Sequence, residues 1–305
     1  MKKKTSNLSV TVDIEDWYNI PSVCGSPFSV YKDVEDFFKK WSNRYDYLTE
    51  PTKRVLKLLD EFDITATFFI VADVVERYPG MVEEIVENGH EVGCHGLDHS
   101  CKIHPKTKKP LMGIKEFEQR TLKAKNLLEK KYHGKVVGYR APNALVSGWM
   151  LDSLEKLGFN YDSSVCVNSL YNKTDSSLDG VSTYPYYPQK GRLDIGGNRS
   201  LIEFPWAYYS ICGFKVPASG GPFLRFLGAN FILQGLRQSL KRGPTVFYFH
   251  PLDISDDGFP EVGRGRPLYW SIKGELIERR IRKILSNMIN VDKRCLGEMA
   301  TENFG

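Results

Sequence analysis

An α/β fold built on a largely parallel sheet is predicted for this 305-residue chain by three observations. Short apolar, β-prone runs alternate with helix-like segments through most of the sequence, as in successive βα units. Several of those runs end in a polar or charged residue, at the strand edge where open and barrel-like α/β folds bind ligands. No internal repeat or flexible linker interrupts the pattern, so one domain covering 1–305 is expected.

The first run, Leu8 to Asp16, reads as a strand. Side chains alternate between its faces, so Val10, Val12 and Ile14 point one way while Thr11, Asp13 and Glu15 point the other, which leaves two acids sharing a face at the strand's end. Pro51 to Asp63 reads as a helix with Val55, Leu58, Leu59 and Phe62 on one side, followed by a buried strand from Thr65 to Val71. Pro79 opens a helix that Gly89 closes, and Gly89 to Gly93 is a short buried strand. A helix near 114–131 pairs with a strand at Val136 to Tyr139, and a further helix near 147–157 is closed by Gly158. From 164 to 222 the alternation stops and Tyr, Pro, Gly, Ser and Asn accumulate, as in a loop-rich insertion that forms a lid or substrate wall. Phe223 to Arg242 is helical again, Thr245 to His250 is a last buried strand, and Ser271 to Asn287 is an amphipathic helix.

The composition, 41% hydrophobic and 26% charged with a formal net charge of +5, is that of a folded globular protein and gives no case for a nucleic-acid partner. Met1-Lys2-Lys3-Lys4 resembles the start of a signal peptide, but acids follow at 13, 15 and 16 before any apolar stretch of the ~7 to 15 residues that export needs. No run reaches the ~20 apolar residues of a membrane span, so a cytoplasmic protein is expected. Its six cysteines, without a Cys-x-x-Cys pair, are then expected to be reduced.

Four polar groups stand out at segment ends: Asp13 with Glu15, His95 with His99, Arg140 in Gly138-Tyr139-Arg140-Ala141-Pro142, and His250 after Phe247-Tyr248-Phe249. Two imidazoles four apart share a face if they lie on one helical turn, and with one carboxylate they describe a catalytic metal site with positions left open. In this order the motifs resemble the polysaccharide deacetylase (NodB-homology) family: an acidic motif ending the first strand, a metal-binding His-x-x-x-His, Arg-x-Pro, and a late strand ending in His. The branch resembled has Val-Asp-x-Glu-Asp as its first motif and is found in bacterial envelope or exopolysaccharide gene sets; Asp162-Ser163-Ser164, Glu203-Phe204-Pro205, Gly220-Gly221 and His250-Pro251 fit it as well.

The resemblance implies a distorted (β/α) barrel, one divalent metal ion, commonly Zn2+, and hydrolysis of an N-acyl group, acetyl or formyl, from an amino sugar or oligosaccharide. His95 and His99 match the metal imidazoles. Ile14 occupies the position where the family usually places its metal aspartate, so Glu15 is taken as the third ligand and Asp16 as its competitor. Asp13 matches the catalytic base, aimed by Arg140, and would take a proton from a water whose pKa the cation lowers toward about 7. The backbone N–H of Asn143 matches the oxyanion donor, and His250 the general acid, for which Asp194 is the guessed carboxylate partner. Trp206 is the preferred sugar contact.

Taken singly, each residue has a plainer reading: a structural histidine, a helix-capping acid, a surface ion pair, or a Cys94/Cys101 zinc knot. Two rival functions remain open at this point: a cyclic-amide hydrolase acting on allantoin-like substrates, and a saccharide-binding relative without catalysis, suggested by Ile14. The sequence sets neither the oligomeric state nor the sugar.

Overall fold

In the computed structural model, which describes residues 6–20, 22–41, 46–258, 268–302 and 304, a single parallel sheet carries the chain. The basic start Met1–Lys4 lies outside the described residues. The strands are β1 (Leu8–Ile14), β2 (Thr67–Ile70), β3 (Glu91–Cys94), β4 (Gly138–Tyr139), β5 (Tyr161–Asp162), β6 (Ile202–Glu203), β7 (Tyr208–Ile211), β8 (Phe214–Pro217) and β9 (Thr245–Phe249). Seven of them form the order β6-β5-β4-β3-β2-β1-β9, with every neighbouring pair parallel, while β7 and β8 make a separate antiparallel hairpin. The sheet curls until Trp206, just past β6, bridges Val246 of β9, so one rung joins its two edges. This is the distorted (β/α) barrel that the sequence predicts.

Outside it lie α1 (Val34–Lys40), α2 (Thr49–Glu61), α3 (Val74–Arg77), α4 (Met81–Glu87), α5 (Ile114–Tyr132), α6 (Gly148–Lys156), α7 (Gly221–Leu240), α8 (Pro251–Ile254), α9 (Glu275–Asn287) and α10 (Leu296–Met299). Between β2 and β9, β1 has all seven residues buried; Val10, Val12 and Ile14 join the main core with Val55 and Leu58 of α2 and Ile277 and Ile281 of α9. Truncating one such side chain to alanine costs about 2–5 kcal/mol, because the cavity left behind relaxes only in part. At the N-terminal end of the strands, Leu296 N donates to Thr67 Oγ1 at 3.0 Å, so α10 covers the end opposite the one where the polar residues gather.

Several boundaries differ from the sequence expectation. The strand expected at Val136–Tyr139 is only Gly138–Tyr139, paired to β3 through Cys94 and Tyr139. Gly80, at φ 91°, precedes α4, which starts at Met81 rather than at Pro79, and the short α3 had no clear periodic signal. Helix α7 begins at Gly221, earlier than Phe223, and is interrupted at Gly228, whose φ of 74° breaks the helical path. The last long helix starts at Glu275 rather than Ser271.

Candidate active site

The C-terminal ends of β1, β3 and β9 deliver the acids and the imidazoles to one cavity of about 240 Å³, lined among others by Asp13, Glu15, His95, His99, Asn143, Trp206 and His250, with Arg140 after β4 buried behind Asp13. Alternation along β1 turns Ile14 into the core with no exposed surface, while Asp13 on the other face meets Arg140. Arg140 Nη1 donates to Asp13 Oδ1 at 2.6 Å and to Thr11 Oγ1 at 2.8 Å; its Nε donates to Ser163 O at 2.9 Å and its Nη2 to Ser163 Oγ at 3.0 Å. The guanidinium lies 4.2 Å from the centre of the Phe69 ring. A Cβ at Gly93 would stand 2.7 Å from that ring, so only glycine there leaves the ring its place beneath the cation. A charge pair so buried is favourable only when the other donors are bonded as well, and Nε, Nη1 and Nη2 each have a partner here.

Glu15, His95 and His99 form a candidate metal site. His99 Nε2 lies 2.5 Å from Glu15 Oε2 and 3.2 Å from His95 Nε2, and His95 Nε2 lies 3.9 Å from the same Glu15 oxygen. Two ligands each ~2.0–2.1 Å from a tetrahedral cation stand about 3.3 Å apart, within the spread of these separations. The other ring nitrogens face backbone carbonyls, His95 Nδ1 at 2.8 Å from Arg140 O and His99 Nδ1 at 2.6 Å from Asn19 O. Donation to those carbonyls puts the proton on Nδ1 and leaves both Nε2 lone pairs directed at the cluster, which is the tautomer that holds a metal. Burial pushes His95 down to about 4, in keeping with a neutral imidazole. Burial alone would raise the Glu15 carboxyl, but the imidazoles of His99, His250 and His95 outweigh it and hold it at about 2. The donors therefore fit a divalent cation.

The helical turn expected to align the two imidazoles is absent. Residues 95–100 are a loop after β3, folded back by Gly96 at φ 83° and His99 at φ 59°, and pinned where Ala72 N and Asp73 N donate to Gly96 O and Leu97 O. Asp16, the competing ligand, turns the other way: its Oδ1 accepts from Trp17 N at 2.6 Å, its Oδ2 accepts from the Tyr78 hydroxyl, and burial pushes it up to about 7.

His250 closes the cavity opposite the imidazoles, its Nε2 3.4 Å from Glu15 Oε1. Its carboxylate partner is Asp253, not Asp194. Asp253 Oδ2 accepts from His250 N at 2.8 Å and from His250 Nδ1 at 2.9 Å, and its Oδ1 accepts from Arg225 Nε at 2.8 Å. Asp194 instead pairs with Arg192 at 2.6 Å, beside the Pro188–Ile195 bridge of the irregular region. Burial would lower His250, yet Asp253 and Glu15 outweigh it and raise the imidazole to about 9. Asp253 could have been found from Pro251 at the first helical position and an acid at the third, the signature of a capping box.

Asn143 lines the cavity in a 3-10 turn, with φ at 61°, and its carbonyl accepts from Lys173 Nζ at 2.8 Å. Trp206 is buried: its indole N–H donates to Ser163 O at 2.8 Å and its ring stands 4.3 Å from that of Tyr248, so it contributes a wall more than an open stacking face. Trp17 and Trp270, with rings 5.4 Å apart, line the same cavity. Cys94 is a buried core residue, and all six cysteines are free thiols.

Behind Arg140 lies a pair of buried acids that sequence reasoning passed over as a site. Asp162 Oδ1 accepts from Ser164 Oγ at 2.8 Å, and Glu203 Oε1 accepts from Ser164 N at 3.1 Å and Val165 N at 2.8 Å. Ser164 Oγ in turn accepts from Ala141 N at 2.7 Å. Burial, reinforced by the Asp162 charge, pushes the Glu203 carboxyl well above the ordinary carboxylate range.

Two known families match this chain. Residues 39–161 match "Polysaccharide deacetylase", and residues 174–291 match a domain of unknown function, DUF3473. A peptidoglycan deacetylase of Helicobacter pylori is 33% identical over 166 residues, 51% of this chain and 52% of that protein, so this chain spans about half of that relative's length. The crystal structure of a putative polysaccharide deacetylase from Mycobacterium smegmatis superposes with a TM-score of 0.63 at 19% identity, over 97% of this chain and 89% of the other. PuuE allantoinase does so at 0.58 and 15%, over 98% and 91%. At these identities both establish the fold. Among the described residues, no helix is long and apolar enough to cross a membrane.

Proposed function

This chain carries a polysaccharide deacetylase domain of the NodB-homology type, and from that we propose that it is a metal-dependent carbohydrate N-deacylase. Its substrate in this reading is an N-acetylated or N-formylated amino sugar of a bacterial surface polysaccharide or its precursor, met in the cytoplasm in nucleotide-linked, lipid-linked or growing form. The name of the Helicobacter pylori relative supports an amino-sugar substrate. One observation carries the proposal: Asp13 of β1 and Glu15 just past its end have different partners, Glu15 beside His95 and His99, Asp13 bound to Arg140, with His250 across the same cavity.

Glu15, His95 and His99 would hold a divalent cation, zinc in this reading, which when bound would supply polarisation of the acyl carbonyl and a lowered pKa for the attacking water. Asp13 takes the proton of that water; Arg140 occupies its Oδ1, and Oδ2 has no hydrogen-bond donor among the described residues. The backbone N–H of Asn143 donates to the oxygen on which negative charge develops. His250, protonated at Nε2, gives its proton to the departing nitrogen as the acyl C–N bond breaks, so a neutral amine leaves. Asp253 stabilises that imidazolium, and Arg225 keeps Asp253 ionised well below its ordinary range.

Incubation of zinc-loaded protein with N-acetylated and N-formylated sugars, sugar nucleotides and oligosaccharides, read by mass spectrometry for free amine, tests this. Free amine from an amino sugar is the expected result. No turnover by any metal-loaded preparation, or turnover of allantoin alone, overturns it.

A further inference from the structure

A second cavity of about 220 Å³ adjoins the first, sharing Ser22, Asn143 and Lys173 with it and otherwise lined by Phe28, Cys101, Leu145 and Tyr171 among others. Two of its aromatic side chains are open to solvent, Phe28 51% and Tyr171 42% exposed. Each ring carries an ammonium group, Lys106 Nζ at 5.2 Å from the Phe28 centroid and Lys108 Nζ at 4.4 Å from that of Tyr171. Lys108 Nζ also donates to the Tyr171 hydroxyl at 3.0 Å, and Lys173 Nζ to Asn143 O at 2.8 Å, where the two cavities meet. Among the described residues, no acid lines this second cavity. The nearby Asp98 is bound by Arg120 and Lys102, and Asp175 by Ser147.

We infer that this second cavity is a subsite for the unit bonded next to the reacting amino sugar, and that this unit carries an anionic oxygen group, a carboxylate or a phosphate. Aromatic rings offer the apolar faces that sugars stack on; Lys173 lines the cavity, and Lys106 and Lys108, just outside its lining, are seated on the Phe28 and Tyr171 rings, so the local charge is positive and held in place. The shared wall of Ser22, Asn143 and Lys173 makes the two cavities a continuous groove, which suits a linked pair of units better than two independent ligands. That the neighbouring unit is bonded to an acylated amino sugar rests on the deacylase reading. The preference for an anion rests on the cations alone.

Calorimetric titration of the full chain with three probes tests it: hyaluronan tetrasaccharide, which alternates glucuronate with N-acetylglucosamine; neutral chitotetraose; and UDP-N-acetylglucosamine. At least one anionic probe is expected to bind about tenfold more tightly than chitotetraose at low salt, the effect of one or two charge-assisted hydrogen bonds. That advantage is expected to vanish in the Lys106→Glu/Lys108→Glu variant and to shrink on raising the salt, and Tyr171→Ala is expected to weaken all linked saccharides. A gain for hyaluronan alone assigns a carboxylate, and a gain for the nucleotide sugar alone assigns a phosphate. Chitotetraose binding as tightly as both anions, or an anion preference untouched by the double charge reversal, overturns the inference. Acetate release is followed in parallel. If no probe is hydrolysed while the charge-dependent preference persists, the deacylase reading falls and the subsite stands; hydrolysis without any preference has the reverse meaning.

Discussion

Asp13 and Arg140 meet at 2.6 Å with neither side chain exposed beyond a few per cent, so the base proposed for the reaction is also half of a buried ion pair. Removing the arginine leaves an uncompensated charge in the core. Arg140→Met is therefore expected to cost about 3–5 kcal/mol, read as a lowered denaturation midpoint. Asp13→Asn keeps a polar acceptor for Arg140 and is expected to leave folding and metal content near wild type while kcat falls about 10²–10⁴-fold. Equal loss of zinc and of activity in Asp13→Asn would show that Asp13 is a ligand instead.

Metal content separates the two neighbouring acids. Glu15→Ala is expected to abolish stoichiometric zinc, measured by elemental analysis. Asp16→Ala is expected to retain zinc but lose about 1–3 kcal/mol of stability, since Asp16 caps the Trp17–Asn19 turn and accepts from Tyr78. Zinc lost only from the Asp16 variant would reverse the assignment.

The charge on Asp253 is expected to set the alkaline limb of the rate profile. His250 has a raised pKa because Asp253, and after it Glu15, outweigh the effect of burial. In Asp253→Asn the imidazolium loses that support and deprotonates at lower pH. The high-pH fall in kcat is expected to move to lower pH, with the acid limb little changed. An unmoved alkaline limb would mean that another group donates the proton.

Burial and the Asp162 charge raise the Glu203 carboxyl well above its ordinary range, and Glu203→Gln keeps a carbonyl for Ser164 N and Val165 N without a titrating group. It is expected to be within about 1 kcal/mol of wild type at acid pH, and Glu203→Ala to be worse by about 1–3 kcal/mol through unpaired backbone donors. The sign with pH follows from linkage. A carboxyl whose folded pKa exceeds its ordinary 4.5 gives stability that is lost as pH rises from about that value upward, because the native state then holds the extra proton. Wild type should thus lose ground to Glu203→Gln as pH increases, and parallel stability curves would contradict a raised Glu203 carboxyl.

Much of the site was legible because it lies where strands end. Period-two alternation in Leu8–Ile14 separated Asp13 and Glu15 from Ile14, and the His-x-x-x-His spacing identified the paired imidazoles. The reason offered for that pairing was wrong: a back-folded loop with left-handed backbone at Gly96 and His99 aligns the rings, and side-chain spacing carries no information about such φ values. Asp253 was readable from its capping position but was not read. The pairing of Glu203 with Asp162 joins adjacent strands that are distant in sequence, and whether an acid there is charged depends on burial, which no local pattern reports.

The isolated rung between Trp206 and Val246 makes closure of the barrel a local affair. Asp13, Glu15, His95, His99 and Arg140 all lie on or just after β1, β3 and β4, whereas the segment that fastens the seam belongs to the loop-rich stretch of 164–222. That stretch also supplies β6, which pairs with β5, so exchanging it whole would strip an edge strand from the sheet. Engineering of the cavity wall is therefore best confined to the loops on either side of Ile202–Trp206, which leaves both the seam and the strand order in place.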